Sequence, residues 1–295
     1  MLGPIAAVTI STPDVAQSVE IYERHLGYRC VVDSQVPAPL AQFWALPGLA
    51  GRRMALMVPA SGAATYLRFI ESAPDPDYRI FGSLGWNAAE LIVEDVDALA
   101  ARLDGGPFRI IGPPADLSFS DQIRAMQVVG PAQEVLYLTM AKSKLEAFDL
   151  PTARSFVDRV FIMILGGSSL EELQSWFAQH FALPPTPVIP SVISVLSEPY
   201  GLPADHLHPI AALPLAGQSY LELDQMPAAA TKRRERRGEL PPGIAMVTLH
   251  VDELPASLAG IRSDAPLELP PYGDRPAMLA RGTAGELIEL VATGP

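Results

Sequence analysis

The chain repeats one pattern four times, and this repeat limits its fold more than any other feature. Each copy opens with an alternating strand, continues into a capped amphipathic helix and leaves room for further strands between Pro/Gly turns. The strand and cap pairs are Ala6–Thr12 with Asp14, Ala88–Val93 with Asp95, Phe161–Leu165 with Ser168–Ser169, and Ala245–Val251 with Asp252. We therefore predict four β-α-β-β-β modules, near residues 1–75, 84–142, 155–226 and 243–293, with 142–152 linking the two halves.

The ends of the predicted helices and of the modules repeat as well. The four helices are expected to end at Leu26-Gly27, Leu103, Phe181 and Ile261. Near the end of modules two and four, a small-residue turn leads into an alternating strand, in Gly130–Leu138 and again in Gly282–Leu290. Alternation within the strands favours sheets with one face against helices and the other lining a cavity.

Composition narrows the class of protein. About half of the residues are hydrophobic (49%), which is typical of a globular chain with sizeable cores. The net charge of −12 argues against nucleic acid as a partner, because binding it requires a basic surface. No apolar run is long enough to span a bilayer, and Cys30 is the single cysteine, so a disulfide framework is excluded. The expected location is the cytoplasm.

One basic run opposes the acidic trend, at Lys232, Arg233, Arg234, Arg236 and Arg237. It is suited to an anionic group of a substrate. Because prolines flank the run on both sides, a solvated loop is the favoured interpretation.

The module openings resemble those of the vicinal-oxygen-chelate superfamily, which includes glyoxalases, bleomycin-resistance proteins and extradiol dioxygenases. In module one the resemblance rests on Val8, Ile10, Asp14-Val15, Ser18, Tyr22 and Leu26-Gly27. In module two it rests on Gly85, Asn87, Leu91, Val93 and Asp95-Val96-Asp97.

This resemblance implies an α+β fold in which paired modules curl into cup-shaped mixed sheets. The expected organisation is two tandem domains, an N-terminal one at residues 1–142 and a C-terminal one at 153–295, each with its own cup. A homodimer is also compatible with it.

The family's metal ligands occupy the first and last strands of its modules, and we transfer those positions one at a time. In the N-terminal half they fall on Ala7, Arg68, Ala88 and Tyr137, so that half is expected to bind no metal. In the C-terminal half they fall on Ile162, Glu222, Ala245 and Glu289.

Two carboxylates without an imidazole suit iron or zinc poorly. They predict no cofactor, or at most a weakly held Mg²⁺ or Mn²⁺ at Glu222 and Glu289.

Histidines do not complete such a site. His25 and His180 lie near helix ends, where the helix dipole favours them. The pair His206 and His208 could chelate on a strand, but its surroundings favour a loop. By alternation from Ala245, His250 is expected to face away from the cavity.

Both predicted cups also contain groups for other chemistry. In the N-terminal cup, Arg68, Glu90 and Tyr137 are candidates for binding a polar ligand, or for a structural ion pair. In the C-terminal cup, Glu222 and Glu289 are expected to lie together, where one acid and one base could transfer protons without a metal. Ala245 and Ile162 are expected to line the substrate site.

These residues lead to three hypotheses for function. The first is a metal-independent or weakly metal-dependent lyase or isomerase that acts on a small hydrophobic, oxygenated and possibly aromatic substrate, with Glu222 and Glu289 as its catalytic residues. The second is a non-catalytic protein that sequesters such a ligand, as the bleomycin-resistance branch does. The third is a relative of the ring-cleaving dioxygenases that has lost iron.

Overall fold

The structure is a computed structural model that describes residues 1–118, 120–143, 149–263 and 266–294. Part of the predicted linker, residues 144–148, lies outside the described residues. Among the residues described, no helix is long and apolar enough to cross a membrane.

The described residues form two eight-stranded mixed sheets. Sheet A has the order β14-β15-β16-β13-β1-β4-β3-β2. Its strands are β1 (Leu2–Thr12), β2 (Arg29–Gln35), β3 (Arg53–Val58), β4 (Tyr66–Glu71), β13 (Gly243–Val251), β14 (Gly260–Arg262), β15 (Ala277–Arg281) and β16 (Leu287–Ala292).

Sheet B has the order β10-β11-β12-β9-β5-β8-β7-β6. Its strands are β5 (Gly85–Val93), β6 (Arg109–Leu117), β7 (Ser120–Val129), β8 (Val135–Ala141), β9 (Val157–Gly167), β10 (Ile189–Val192), β11 (Leu207–Leu215) and β12 (Ser219–Gln225). The predicted α+β class with mixed sheets is confirmed.

Three long helices begin where the sequence predicts, because a side chain caps each of them. Asp14, Asp95 and Ser169 each accept a hydrogen bond from the backbone N–H three residues ahead. The long helices are α1 (Val15–Leu26), α3 (Val96–Leu103) and α4 (Leu170–Phe181), and the short ones are α2 (Ala38–Phe43) and α5 (Ser194–Ser197).

The fourth predicted helix is wrong. The described residues after Asp252 are turns up to β14, and Ile261 lies on that strand. Pro255 interrupts this short segment, and proline disfavours a helical conformation in the residue before it.

The pairing of modules differs from the expected one. Strand β1 pairs antiparallel with β13, so modules one and four share sheet A. Strand β5 pairs antiparallel with β9, so modules two and three share sheet B. The prediction that each cup belongs to one half of the chain is therefore wrong, whereas the boundaries at 142 and 153 stay a prediction.

Each sheet has a helix face and an opposite face that we call its cup. In sheet A, Val8 and Leu249 belong to the main hydrophobic core together with helix α1. Their strand neighbours Thr9 and Thr248 point the other way, into the cup. We name the two cups cup A (modules one and four) and cup B (modules two and three).

The basic run lies in a loop, as expected, with Lys232, Arg234 and Arg237 exposed, but Arg233 and Arg236 are partly buried and hold the loop in place. Arg233 donates to the backbone oxygens of Trp86 and Ile244, each at 2.8 Å. Arg236 donates to the backbone oxygens of Ala73 and Pro74, at 2.7 and 3.0 Å. These hydrogen bonds hold the segment between modules three and four against the end of module one and the start of module two.

The turn before the last strand recurs in modules two and four, and each copy contains a buried glutamate. Among the described residues, only the glutamate of module two has well-formed hydrogen bonds. Buried Glu134 accepts hydrogen bonds from the hydroxyl of Tyr22 at 2.6 Å and from the backbone N–H of Ala132 at 2.8 Å. Both carboxyl oxygens of its counterpart Glu286 are buried and meet no donor at good hydrogen-bond geometry among the described residues, although the backbone N–H groups of Glu286 and Ala284 are near enough to lower its pKa in part. Burial raises the pKa of Glu286 to about 7. The sequence offers a reason, because Phe177 holds the place in α4 that Tyr22 holds in α1, eight residues after the helix cap.

We expect Phe177→Tyr to stabilise the protein by about 1 kcal/mol, because the added hydroxyl would give Glu286 a hydrogen bond. The free energy of unfolding in urea measures this change. Phe161→Tyr, at another fully buried phenylalanine, is the control and is expected to destabilise. Equal destabilisation by both changes would contradict the interpretation.

Candidate functional site

Cup A contains a buried ion pair between Arg68 and Glu289. Arg68 on β4 is 1% exposed and donates to four groups of the cup, of which the Thr248 hydroxyl is the most distant, at 3.5 Å. Its Nε donates to the Thr9 hydroxyl at 2.8 Å, and its two terminal nitrogens donate to the Tyr272 hydroxyl at 2.6 Å and to the carboxylate of Glu289. The guanidinium also lies 4.8 Å from the ring centre of Trp44, a cation–π distance.

The carboxylate of Glu289 on β16 also has several hydrogen-bond donors. Besides Arg68, the Trp44 indole N–H and the hydroxyls of Thr248 and Tyr272 donate to its carboxylate at 2.5 to 2.6 Å. Burial alone would raise the pKa of Glu289, but the charge of Arg68 and these hydrogen bonds lower it below its usual value. A carboxylate with a lowered pKa and a full set of hydrogen-bond partners is poorly suited to proton transfer.

Side chains fill the rest of cup A. A second hydrophobic cluster occupies it, built from residues of α2 and the segments that follow it, with Tyr272 and parts of β13 to β16. A cavity of 340 Å³ remains at the mouth, between Leu46, Ile261 and Leu279. Trp44 lines that cavity and separates it from Arg68 and Glu289.

Cup B holds three carboxyl groups and a phenol, and no described residue supplies a positive charge that balances them. Strand register places Glu90 beside Tyr137 of β8, and the i, i+2 spacing of Glu222 and Asp224 on β12 gives both the same face. Electrostatic interactions connect Tyr137 with all three carboxyls. Within the described part of the chain, none of the three forms an ion pair with Lys, Arg or His.

Several polar atoms of cup B lack partners. The Tyr137 hydroxyl (residue 8% exposed) and Asp224 Oδ1 (residue 1% exposed) are buried without a hydrogen bond among the described residues. The Ser191 hydroxyl at the edge of the same sheet is a third such atom. A buried polar group without a partner is costly in a native protein and requires an explanation. Cup A, by contrast, pairs the polar groups of its ion-pair cluster.

The pKa values in cup B follow from burial and mutual repulsion. Burial, and then the nearby charge of Glu222, raise the pKa of Glu90 to about 8. Burial raises the pKa of both Glu222 and Asp224, and a hydrogen bond between them favours the proton on Glu222. These raised pKa values bring the carboxyls towards the neutral range, where a group can both give and accept a proton, as an acid–base site requires.

The wall beside these acids is apolar and partly accessible. Ile162, Ile210 and Ala212 carry intermediate exposure on β9 and β11, as Glu222 does on β12. His208 lies at the rim, where its Nε2 and the Ser197 hydroxyl are 2.8 Å apart. The expected loop holds for His206, which is exposed and precedes β11, whereas His208 is buried and lies on that strand.

The predicted site residues are divided between the two cups. Glu222 lies in cup B and Glu289 in cup A, so the prediction that they lie together is wrong. Arg68 pairs with Glu289 in cup A, whereas Glu90 and Tyr137 are neighbours in cup B. The prediction that Arg68, Glu90 and Tyr137 share one cup is therefore wrong for Arg68. The catalytic role of each glutamate stays a prediction.

The expected lining residues also differ in their surroundings. Ile162 lies in cup B, partly exposed. Ala245 is buried in the hydrophobic cluster of cup A, and Thr248 is the residue of β13 that contacts Glu289. His250 pairs with Val291, a member of the cup A cluster, so its expected orientation away from the cup is wrong. A register shift between β1 and β13 changes the alternation assumed from the sequence.

Sequence reasoning missed three residues of these sites. Trp44 and Tyr272 lie outside regular strands, and no pattern in the sequence indicates that they reach Glu289. Asp224 could have been found, because Glu222-Leu223-Asp224 puts two acids on one face of an alternating strand.

The donor groups do not fit the family's metal site in either cup. Cup A presents a guanidinium and a single carboxylate, and Ala88, Tyr137, Ile162 and Glu222 hold the equivalent positions in cup B. Among the described residues, no group of three or more His, Cys, Asp or Glu is placed to hold a metal ion. Because Glu222 and Glu289 lie in different sheets, they cannot bind one Mg²⁺ or Mn²⁺ together. An ion at Glu222 alone stays a prediction.

Solved structures share the architecture over nearly the whole chain. Glyoxalase I from Zea mays is similar with a TM-score of 0.63 at 13% identity, covering 98% of this chain and 92% of that one. A putative dioxygenase from Bacillus subtilis subsp. subtilis str. 168 is similar with a TM-score of 0.61 at 12% identity, covering 99% and 85%. No protein-family model and no curated protein matches the sequence.

Identities this low establish the fold and leave the activity open. The order of the modules, the two mixed sheets and the near-complete coverage agree with the resemblance found in the sequence. The chain therefore has the tandem fold that is also seen in these glyoxalase I and putative dioxygenase structures.

Proposed function

We propose that the protein is a small-molecule enzyme that transfers protons in cup B without a metal ion, as an isomerase or lyase does. The observation that carries this proposal is the set of buried carboxyls and unpartnered polar atoms on one partly accessible face. Cup A serves as structural core, because Arg68 and Glu289 neutralise each other there.

Roles follow from the surroundings of each group. Glu222 and Asp224 form the acid–base pair, with one proton held between two carboxyls, and Glu222 is the more accessible member. Tyr137 and Glu90 form hydrogen bonds with polar groups of the substrate, and Ile162, Ile210 and Ala212 contact its apolar part. Such a site suits abstraction of a proton next to a carbonyl group.

Proton exchange in D₂O tests the proposal without knowledge of the natural substrate. A panel of small carbonyl compounds is incubated with the protein, and ¹H NMR follows loss of the proton next to the carbonyl. We expect Glu222→Gln to slow the exchange by about 10²- to 10⁴-fold, the usual contribution of a general acid or base. Glu171→Gln on the exposed side of α4 is the matched control and should leave the rate unchanged. No exchange by the unmodified protein, or equal rates in both variants, would contradict catalysis.

A sequestering protein is the second candidate, favoured by the apolar wall beside the acids. In that case a bound aromatic ligand keeps its affinity in Glu222→Gln, and no compound of the panel exchanges protons.

A further inference from the structure

We propose that the ligand of cup B carries a positively charged nitrogen, as a protonated amine does. This inference rests on the proposed location of the ligand site and adds the class of ligand. It follows from the unequal distribution of charge between two cups that share one architecture.

Cup A shows how this fold balances a buried carboxylate. Glu289 meets a guanidinium and three further donors, and all of them belong to the chain itself. Every charge in that cup is therefore neutralised without a ligand.

Cup B offers acceptors without the matching cation. Glu90, Glu222 and Asp224 form no ion pair with a described residue, and burial is the main cause of their raised pKa values. Asp224 Oδ1 and the Tyr137 hydroxyl are both more than nine-tenths buried, lack partners in the described part and belong to this cluster. An ammonium group supplies three N–H donors and one positive charge, which is what these atoms lack.

An organic cation fits the cup better than a metal ion. The acids are not arranged as a coordination site among the described residues. Ile162, Ile210 and Ala212 give the same face an apolar wall. The carbon skeleton of an organic cation covers this wall, whereas a hydrated metal ion leaves it exposed.

Two matched pairs of compounds test the inference. Benzylamine is compared with benzyl alcohol, and tyramine with its alcohol counterpart tyrosol, by ligand-observed NMR and titration calorimetry on the full chain. We expect each amine to bind about tenfold or more tightly than its alcohol, and Glu222→Gln and Asp224→Asn to remove that preference. Glu235→Gln, at the mouth of the cup A cavity, is the control and should leave the preference intact.

The outcomes separate the inference from the proposed function. Equal affinity for amine and alcohol, with binding still lost on substitution of Tyr137 by phenylalanine, would overturn the charge preference and leave cup B as the ligand site. Binding of neither member of either pair, or loss of binding in Glu235→Gln alone, would overturn cup B as the ligand site.

Discussion

Replacement of Arg68 by methionine is expected to lower the free energy of unfolding by about 3 to 5 kcal/mol. The change leaves Glu289 buried and charged, with its ion-pair partner removed. Urea denaturation measures this loss in the free energy of unfolding, with the same m-value used for both proteins.

Replacement of both partners should recover most of that loss. In Arg68→Met/Glu289→Met no charge is buried, and a well-packed apolar pair is often as stable as a buried ion pair. Arg53→Met is the control, because its ion pair with Asp33 is about half exposed and a solvent-screened pair of this kind contributes little to stability. Arg68→Met costing no more than Arg53→Met would contradict a structural role for cup A.

The stability of the protein is expected to fall as the pH rises from about 4.5 to about 9. Glu90 has a pKa of about 8 in the folded state, whereas an unfolded chain restores the ordinary value near 4.5. Because the folded state holds this proton more tightly, the stabilisation is complete below about pH 4.5 and is lost as the pH rises through about 8. At about 1.4 kcal/mol per pH unit, Glu90 accounts for at most about 5 kcal/mol of this change.

Glu90→Gln should flatten this dependence and make the variant more stable than the unmodified protein near pH 9. Thermal or urea unfolding at a series of pH values measures the slope. Glu171→Gln, at an exposed position on α4, should leave the slope unchanged. A slope that is the same with and without the Glu90 carboxyl would contradict the raised pKa.

Local patterns in the sequence predicted local structure well. Asp14, Asp95 and Ser169 identified three helix starts, since an N-cap acts within its own turn. The modules themselves were predictable because the pattern recurs four times. Pro255 and the short spacing before Gly260 were the signals against a fourth helix.

Long-range pairing was not predictable from the same patterns. The first strands of the modules have similar alternation, so nothing local determines whether β1 pairs with β5 or with β13. The ion pair of cup A joins Arg68 to a glutamate 221 residues away, and it became visible only with that pairing. Cup B was predicted only in part. Glu90 and Tyr137 were both candidates from the sequence, but Glu222, which lies in the same cup, was assigned to a different cup in the C-terminal half of the chain.

The division of the two cups into structural core and reactive site is tested most directly by NMR titration of ¹³C-labelled glutamate carboxyls. We predict that Glu289 keeps the chemical shift of an ionised carboxylate from pH 5 to pH 9, whereas Glu90 changes with a midpoint near pH 8. A Glu289 that titrates in the neutral range, or a Glu90 that is already ionised at pH 6, would contradict the account.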